Sequence, residues 1–345
     1  MSPSMLAVFL SSLLFFMLVS AAPTFLTLQR ALPNHGMELN QLREMDIHRH
    51  GRMLQSSVIN LPVNGTFQAG LYYTTIYLGS PPREFHVQID TGSDTSWVSC
   101  VSCNGCPQTS DLLIKLNYFD PVSSSTSSII PCSHHMCEIC STNNRCSFNN
   151  QYEDGGGTSG YIVSDLMYVS NMSKGPMALN LYGSLVFGCS NMRTGRLTLY
   201  ERALDGILGF GKQDTSVISQ LYSQGKAPRV FSHCLKGDTS GGGMLILGEV
   251  VEPNMTYSPL IPKQPYYNLN LESININGHM LEIDPSVFIT SNNKGAIIDS
   301  GTTLAYFIEG AYNPIINTLN HTIPQSQRTF IYDGFQCYLL TSGLS

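Results

Sequence analysis

The chain has 345 residues, 42% hydrophobic and only 12% charged, enough apolar material to bury two cores of ordinary size. Its formal net charge of −6 and sequence pI near 5.8 supply no basic field, so a nucleic-acid partner is set aside. Helical periodicity is scarce, whereas short alternating runs separated by Gly, Pro, Ser and Asn recur throughout, so the fold class is mostly β.

Residues 5–19 are apolar apart from Ser11 and Ser12 and carry no charge, and Ser20, Ala21 and Ala22 then supply small residues for cleavage. The run is too short for a comfortable spanning helix, so residues 1–21 are expected to be a signal peptide, and no membrane segment is expected after its removal. Residues 22–70 form a propeptide-like segment in which Arg30, Arg43, Arg49 and Arg52 face only Glu38, Glu44 and Asp46, for a net +1 against −7 on the remainder. It is expected to lie over an acidic cleft near neutral pH and to leave as carboxylates protonate.

A hairpin then opens the first lobe, residues 71–250: a strand from Leu71, the Gly79-Ser80-Pro81-Pro82 turn, and a strand in which Phe85, Val87 and Ile89 share one face and Asp90 stands at the end. Asp90-Thr91-Gly92-Ser93 is followed 209 positions later by Asp299-Ser300-Gly301-Thr302, the same device of an acid, a hydroxyl residue, a Gly for a sharp turn and a second hydroxyl residue. The strand before the second copy, Ala296-Ile297-Ile298, is apolar on both faces and reads as buried. Hydroxyls and backbone amides beside each Asp can fix its rotamer. Two unit charges about 3 Å apart repel by roughly 5 kcal/mol at an effective dielectric of about 20, so one carboxyl holds its proton and the other does not. Two chemically identical residues thus give an acid and a base able to drive water into an amide.

Ten cysteines accompany the signal peptide. Cys100-x-x-Cys103-x-x-Cys106 together with Cys132, Cys137, Cys140 and Cys146 has a spacing that a metal could use, but in a secreted chain disulfides are the preferred reading, so no metal is expected. The segment from Cys100 to Cys146 is expected to form a local framework, with Cys103–Cys106 as one small loop. Sequons at Asn64, Asn171, Asn254 and Asn320 suit the same compartment. Further on, Leu185-Val186-Phe187-Gly188 and the run from Gly243 to Gly248 read as strands, and residues 216–223 as a short helix.

Four segments together carry a resemblance to the pepsin-like aspartic endopeptidases, and within them to the plant nepenthesin-type branch. They are Asp90-Thr91-Gly92-Ser93-Asp94-Thr95-Ser96-Trp97-Val98, the run from Tyr152 through Gly155-Gly156-Gly157 to Tyr161, Asp205-Gly206-Ile207-Leu208-Gly209-Phe210-Gly211, and Asp299-Ser300-Gly301-Thr302-Thr303. The resemblance implies a bilobal acid-protease fold with the cleft between the lobes, and hydrolysis of protein or peptide substrates by a monomer without cofactor. It implies Asp90 and Asp299 as the catalytic pair, Thr91 and Ser300 as hydroxyls that cross-link the two loops, and Ser93 and Thr302 as hydroxyls that bond the carboxylates. It places Tyr152 on a flap over the substrate, with Trp97 supporting it, and sets Ile207-Leu208-Gly209 beside the first loop. Glu153 departs from the Gly more usual after that tyrosine.

The second lobe, 251–345, reads as incomplete: 46 residues follow Asp299, none forms a second apolar-apolar-Gly element, and Cys189 and Cys337 are expected to lack partners. A membrane anchor is allowed for only if the full-length chain continues beyond residue 345. The expected location is the secretory route, ending outside the cell or in the vacuole. The alternative reading is a non-catalytic pepsin-fold binding or inhibitor protein, a class that typically damages one of the two motifs; both are intact here. A cysteine-rich structural wall protein would not need the duplicated loops.

Overall fold

The computed structural model describes residues 59–66, 70–170, 179–237, 241–250, 255–291, 295–323, 328–332 and 335–339. The expected signal peptide, most of the propeptide-like segment and the sequons at Asn171 and Asn254 lie outside the described residues.

Up to Leu247 the strands are β1 (Ile59–Thr66), β2 (Leu71–Leu78), β3 (Arg83–Asp90), β4 (Trp97–Asn104), β5 (Ser128–Ile129), β6 (Ile139–Cys140), β7 (Cys146–Gln151), β8 (Gly157–Ser170), β9 (Leu179–Thr194), β10 (Gly206–Gly209), β11 (Phe231–Leu235) and β12 (Gly243–Leu247). They form one twelve-stranded mixed sheet in the order β11-β12-β1-β2-β3-β10-β4-β9-β8-β7-β6, with β5 also on β8. Pairing of Tyr77 with Tyr168 and Leu78 with Met167 joins β2 to β8, so the sheet curls back on itself and encloses its apolar face.

The expected hairpin is present: β2 pairs antiparallel with β3 from Tyr73–Gln88 to Leu78–Arg83. Gly79 turns the chain at φ +89°, a conformation that favours glycine. Period-two alternation puts Phe85, Val87 and Ile89 in the core at no more than 1% exposure, each side chain contributing about 1.5–3 kcal/mol relative to exposure. Phe119 bridges Phe85 and Phe187, with ring centroids 6.2 and 5.2 Å away. Helix α1 (Val217–Ser223) starts where expected, its Ser216 cap accepting the Ser219 N–H, and it buries Val217, Ile218 and Leu221.

Ile59–Thr66 falls inside the propeptide-like segment, yet β1 is an inner strand paired with β12 and β2, with Leu61 and Val63 in the core. Residues 59–66 of that segment therefore take part in the folded sheet.

Beyond residue 255 the strands are short: β13 (Asn268–Leu269), β14 (Asn275–Ile276), β15 (His279–Met280), β16 (Ala296–Ile297), β17 (Arg328–Tyr332) and β18 (Phe335–Leu339), paired only as β13–β16, β14–β15 and β17–β18. Helix α2 (Glu309–Thr322) was not anticipated; Pro314 inside it and Ile308 at its N-cap, without a capping side chain, conceal it from pattern reading. The strand before Asp299 is not buried as expected. Ile297 and Ile298 are 43% and 57% exposed, because β16 pairs with a single two-residue strand and no described layer covers its outer face.

Four disulfides are present among the described residues: Cys100–Cys189, Cys103–Cys106, Cys132–Cys140 and Cys137–Cys146. Cys103–Cys106 is the anticipated small loop. Cys189 does have a partner, contrary to expectation, and Cys100 leaves the local framework to meet it, because β4 and β9 run parallel side by side and set Val98 opposite Cys189. The chain-entropy account assigns about 5 kcal/mol to closing the 89-residue loop and about 2 kcal/mol to the 3-residue one. Replacing Cys100 and Cys189 together by Ala is therefore expected to lower the unfolding free energy by at least twice as much as replacing Cys103 and Cys106. Urea titrations of the two variants measure this, and equal losses would contradict it.

Candidate active site

Asp90 ends β3, and Asp299 lies two residues past β16. The two loops meet through a symmetric exchange of hydrogen bonds. The Thr91 N–H donates to Ser300 Oγ at 3.2 Å and the Ser300 N–H donates to Thr91 Oγ1 at 2.9 Å. Each hydroxyl passes its own proton to the strand beneath the opposite loop, Ser300 to the Ile89 carbonyl at 2.9 Å and Thr91 to the Ile298 carbonyl at 3.4 Å. Gln88 adds a further link, its side-chain amide donating to the Gly301 carbonyl at 3.3 Å.

Within each loop the carboxylate is held in the same way. Asp90 Oδ1 accepts the Gly92 N–H at 2.9 Å and Asp299 Oδ1 accepts the Gly301 N–H at 2.8 Å. Asp90 Oδ2 accepts the Ser93 hydroxyl, and Asp299 Oδ2 accepts the Thr302 hydroxyl at 2.5 Å. The glycines are there for space: a Cβ at Gly92 would stand 2.5 Å from Asp299 Oδ2, and one at Gly301 would collide with Asp90 Oδ1. Each carboxyl thus lies over the glycine of the other loop, and the two acids face each other across the junction.

The environments differ. Asp90 is 5% exposed, whereas Asp299 is half-buried. Burial, more than anything else, pushes Asp90 up to about 6; the Asp299 carboxyl adds to the rise, and the bonds from Ser93 and Gly92 oppose it. Behind Asp90 runs β10, parallel to β3 with Gly209 beside Asp90 and antiparallel to β4. The Phe210 N–H donates to the Asp90 carbonyl at 2.7 Å, the Gly211 N–H to the Ser93 carbonyl at 2.9 Å, and the Gly209 N–H to Ser96 Oγ at 3.0 Å. The Ile207-Leu208-Gly209 segment thus threads beside the first loop as expected. Among the described residues no strand stands in that relation to the Asp299 loop, and Thr302, Thr303 and Leu304 are exposed.

Tyr152 sits at the tip of the β7–β8 hairpin, closed by its N–H to the Gly156 carbonyl at 2.8 Å and by the Gly155 N–H to its own carbonyl at 3.0 Å. Its hydroxyl accepts the indole N–H of Trp97 at 2.7 Å. Burial pushes the phenol far above its ordinary range, Asp90 adds to this, and hydrogen bonds with Trp97, Asn150 and Ser93 act against it, so it stays neutral at any working pH. Trp97 is 1% exposed, so it is a core residue and a hydrogen-bond donor to Tyr152 at once.

Sequence reasoning gave no role to three residues around this site. Asp205, 1% exposed, accepts the His86 N–H at 2.7 Å and the Asn117 N–H at 2.6 Å and so ties β3 to the loop before β10. An acid directly before the Gly-Ile-Leu-Gly run was a usable signal. Arg193 stacks on Trp97, and Arg202 donates to the Gly70 carbonyl at 2.6 Å and to Thr303 Oγ1 at 3.1 Å; nothing in their sequence surroundings marks either. Among the described residues no cluster of three or more His, Cys, Asp or Glu is arranged to hold a metal ion.

Two family profiles match this chain: "Xylanase inhibitor N-terminal" over residues 72–249 and "Xylanase inhibitor C-terminal" over 266–342. Aspartic proteinase 36 of Arabidopsis thaliana is 38% identical over 314 residues, covering 88% of this chain and 64% of the relative, and aspartic proteinase 39 of the same plant is 36% identical, covering 89% and 65%. Aspartic proteinase nepenthesin-1 of Nepenthes gracilis is 30% identical, covering 80% and 63%. The chain therefore spans slightly less than two thirds of the length of these relatives. With the first profile matching more than half of its residues and two Asp-hydroxyl-Gly loops joined face to face, the chain belongs to the pepsin-like family of aspartic proteinases.

Proposed function

We infer that the protein is an aspartic endopeptidase in which Asp90 and Asp299, one from residues 71–250 and one from residues 251–345, activate a water molecule between them. The single observation that carries this reading is the reciprocal Thr91–Ser300 bonding, which brings the two carboxyls together. One shared proton gives each carboxyl a different task. Burial favours the proton on Asp90, which donates it to the carbonyl oxygen of the scissile peptide; Asp299 takes a proton from the water as its oxygen attacks the carbonyl carbon. The tetrahedral diol then collapses: Asp299 passes its proton to the departing amine and Asp90 recovers its own from the diol. Ser93 and Thr302 hold the carboxyls in place, Tyr152 covers the substrate, and Trp97 holds Tyr152.

Four disulfides and plant proteinase relatives support a site of action outside the cytosol, secreted or vacuolar. Asn64 and Asn320 are exposed, as glycan acceptors in that route must be. The description of the matching profiles as xylanase inhibitors favours a second reading, a non-catalytic binding protein on the same scaffold. Two complete carboxyl loops weigh against it, since binding alone requires neither.

The full chain is expected to cleave unfolded protein substrates at acid pH and to be blocked by a statine-type transition-state analogue. Asp90→Asn and Asp299→Asn should each lower kcat/KM by about 10²–10⁴-fold, the usual worth of positioned acid–base groups. Turnover that survives both substitutions would overturn the assignment. A pH dependence of stability follows separately. Asp90 has a folded pKa of about 6 against an ordinary 3.8, so its contribution to stability is complete below about pH 4 and is lost as pH rises through 6. Relative to the parent chain, Asp90→Asn should gain about 2 kcal/mol of stability between pH 4 and pH 7. Denaturant titrations at the two pH values check this, and a difference that does not change with pH would contradict it.

A further inference from the structure

Arg193, the penultimate residue of β9, is a cation with little access to water, at 5% exposure. One terminal guanidinium nitrogen donates to the Leu204 carbonyl at 2.9 Å and the Asp205 carbonyl at 2.6 Å, while Nε is buried without a partner. Burial pushes Arg193 down to about 10 and the charge of Asp205 holds it up, so it remains cationic. Two carbonyls and one unsatisfied nitrogen are poor compensation for burying a guanidinium. The remaining partner is the indole of Trp97, whose ring centre lies 4.7 Å from the guanidinium carbon.

The same indole donates its N–H to Tyr152 at 2.7 Å. A cation over the ring draws π density toward itself and away from Nε1, which makes that N–H more acidic and a stronger donor. Arg193, Trp97 and Tyr152 therefore form a relay that begins in the buried core and ends at the tip of the β7–β8 hairpin. We propose that Arg193 is a positioning residue for Tyr152: its buried charge, acting through the Trp97 ring, tightens the hydrogen bond that holds the tyrosine hydroxyl beside the Asp90 loop. The effect on catalysis rests on the aspartic-protease reading; the effect on the hydrogen bond does not.

Trp97 is the only tryptophan in the chain, so its indole N–H gives a single proton–nitrogen NMR correlation and can be followed without ambiguity. In the full chain, Arg193→Met is expected to move that proton upfield and to speed its solvent exchange about tenfold, the scale of one cation–π contact. Arg193→Lys, which keeps the charge and loses the flat stack, should fall between. Cleavage of a peptide substrate should lose about tenfold in kcat/KM in Arg193→Met and recover in part in Arg193→Lys. An indole signal with unchanged shift and exchange in a folded Arg193→Met protein would overturn the proposal whatever the activity. A parent chain without turnover whose indole still responds to Arg193→Met would overturn the protease reading and leave the relay standing. Should Arg193→Met fail to fold, Arg193→Lys made in the parent and in Tyr152→Phe decides the matter. The proposal requires its effect on indole exchange to shrink at least about threefold when the tyrosine hydroxyl is gone, whereas equal effects in both backgrounds would refute it.

Discussion

Two hydroxyl side chains, Thr91 and Ser300, hold this site together, each accepting the other loop's backbone N–H and donating to the strand below it. Every donor and acceptor in the exchange belongs to one of the two Asp loops, so neither loop can reach this geometry without the other. The arrangement satisfies backbone groups that would otherwise be unpaired at a partly buried junction, and the loss of either hydroxyl would leave its counterpart's N–H without an acceptor. Asp90 and Asp299 are adjacent as a result of this grip. The glycines at 92 and 301 then let each carboxyl lie over the opposite loop.

The symmetry is one of bonding and not of surroundings. Asp90 sits on a sheet whose curled apolar face holds Phe85, Val87, Ile89 and Leu208, with β10 stitched to its loop from behind. Asp299 follows a two-residue strand, and Ile297 within it and Ile298 after it are both exposed. Burial raises the proton affinity of Asp90, and the neighbouring Asp299 carboxyl adds to the rise. The phenol of Tyr152, bonded to a fully buried indole, is kept neutral by burial.

Much of this was legible because turn chemistry is local. An acid at a strand end, followed by hydroxyl, Gly and hydroxyl, dictates a tight loop and its internal hydrogen bonds, and finding it twice gives the pair. The resemblance to the pepsin-like family added the Thr91–Ser300 cross-link, the place of Tyr152 and the run beside the first loop. Long-range pairing was hidden. Cys100 reaches Cys189 only because β4 and β9 run side by side in parallel, and no spacing rule encodes that neighbourhood. Ile297 and Ile298 read as buried because an apolar pair normally has a layer on each side; exposure is a property of the neighbours and not of the pair. Arg193 was silent for the opposite reason, since a basic residue after a strand normally faces water, and only the fold brings it onto Trp97.

The central claim is that the two loops bring the Asp299 carboxyl against a buried Asp90 and so raise the proton affinity of Asp90. Carbon-13 labelling of the aspartate side chains, followed by an NMR titration of the full chain from pH 3 to pH 8, tests it directly. The account predicts that Asp90 keeps its proton to about pH 6 and that Asp299→Asn lowers its midpoint, because the Asp299 carboxyl is one of the groups that raise it. An Asp90 midpoint in the ordinary carboxylate range, or one that Asp299→Asn leaves unmoved, would contradict it.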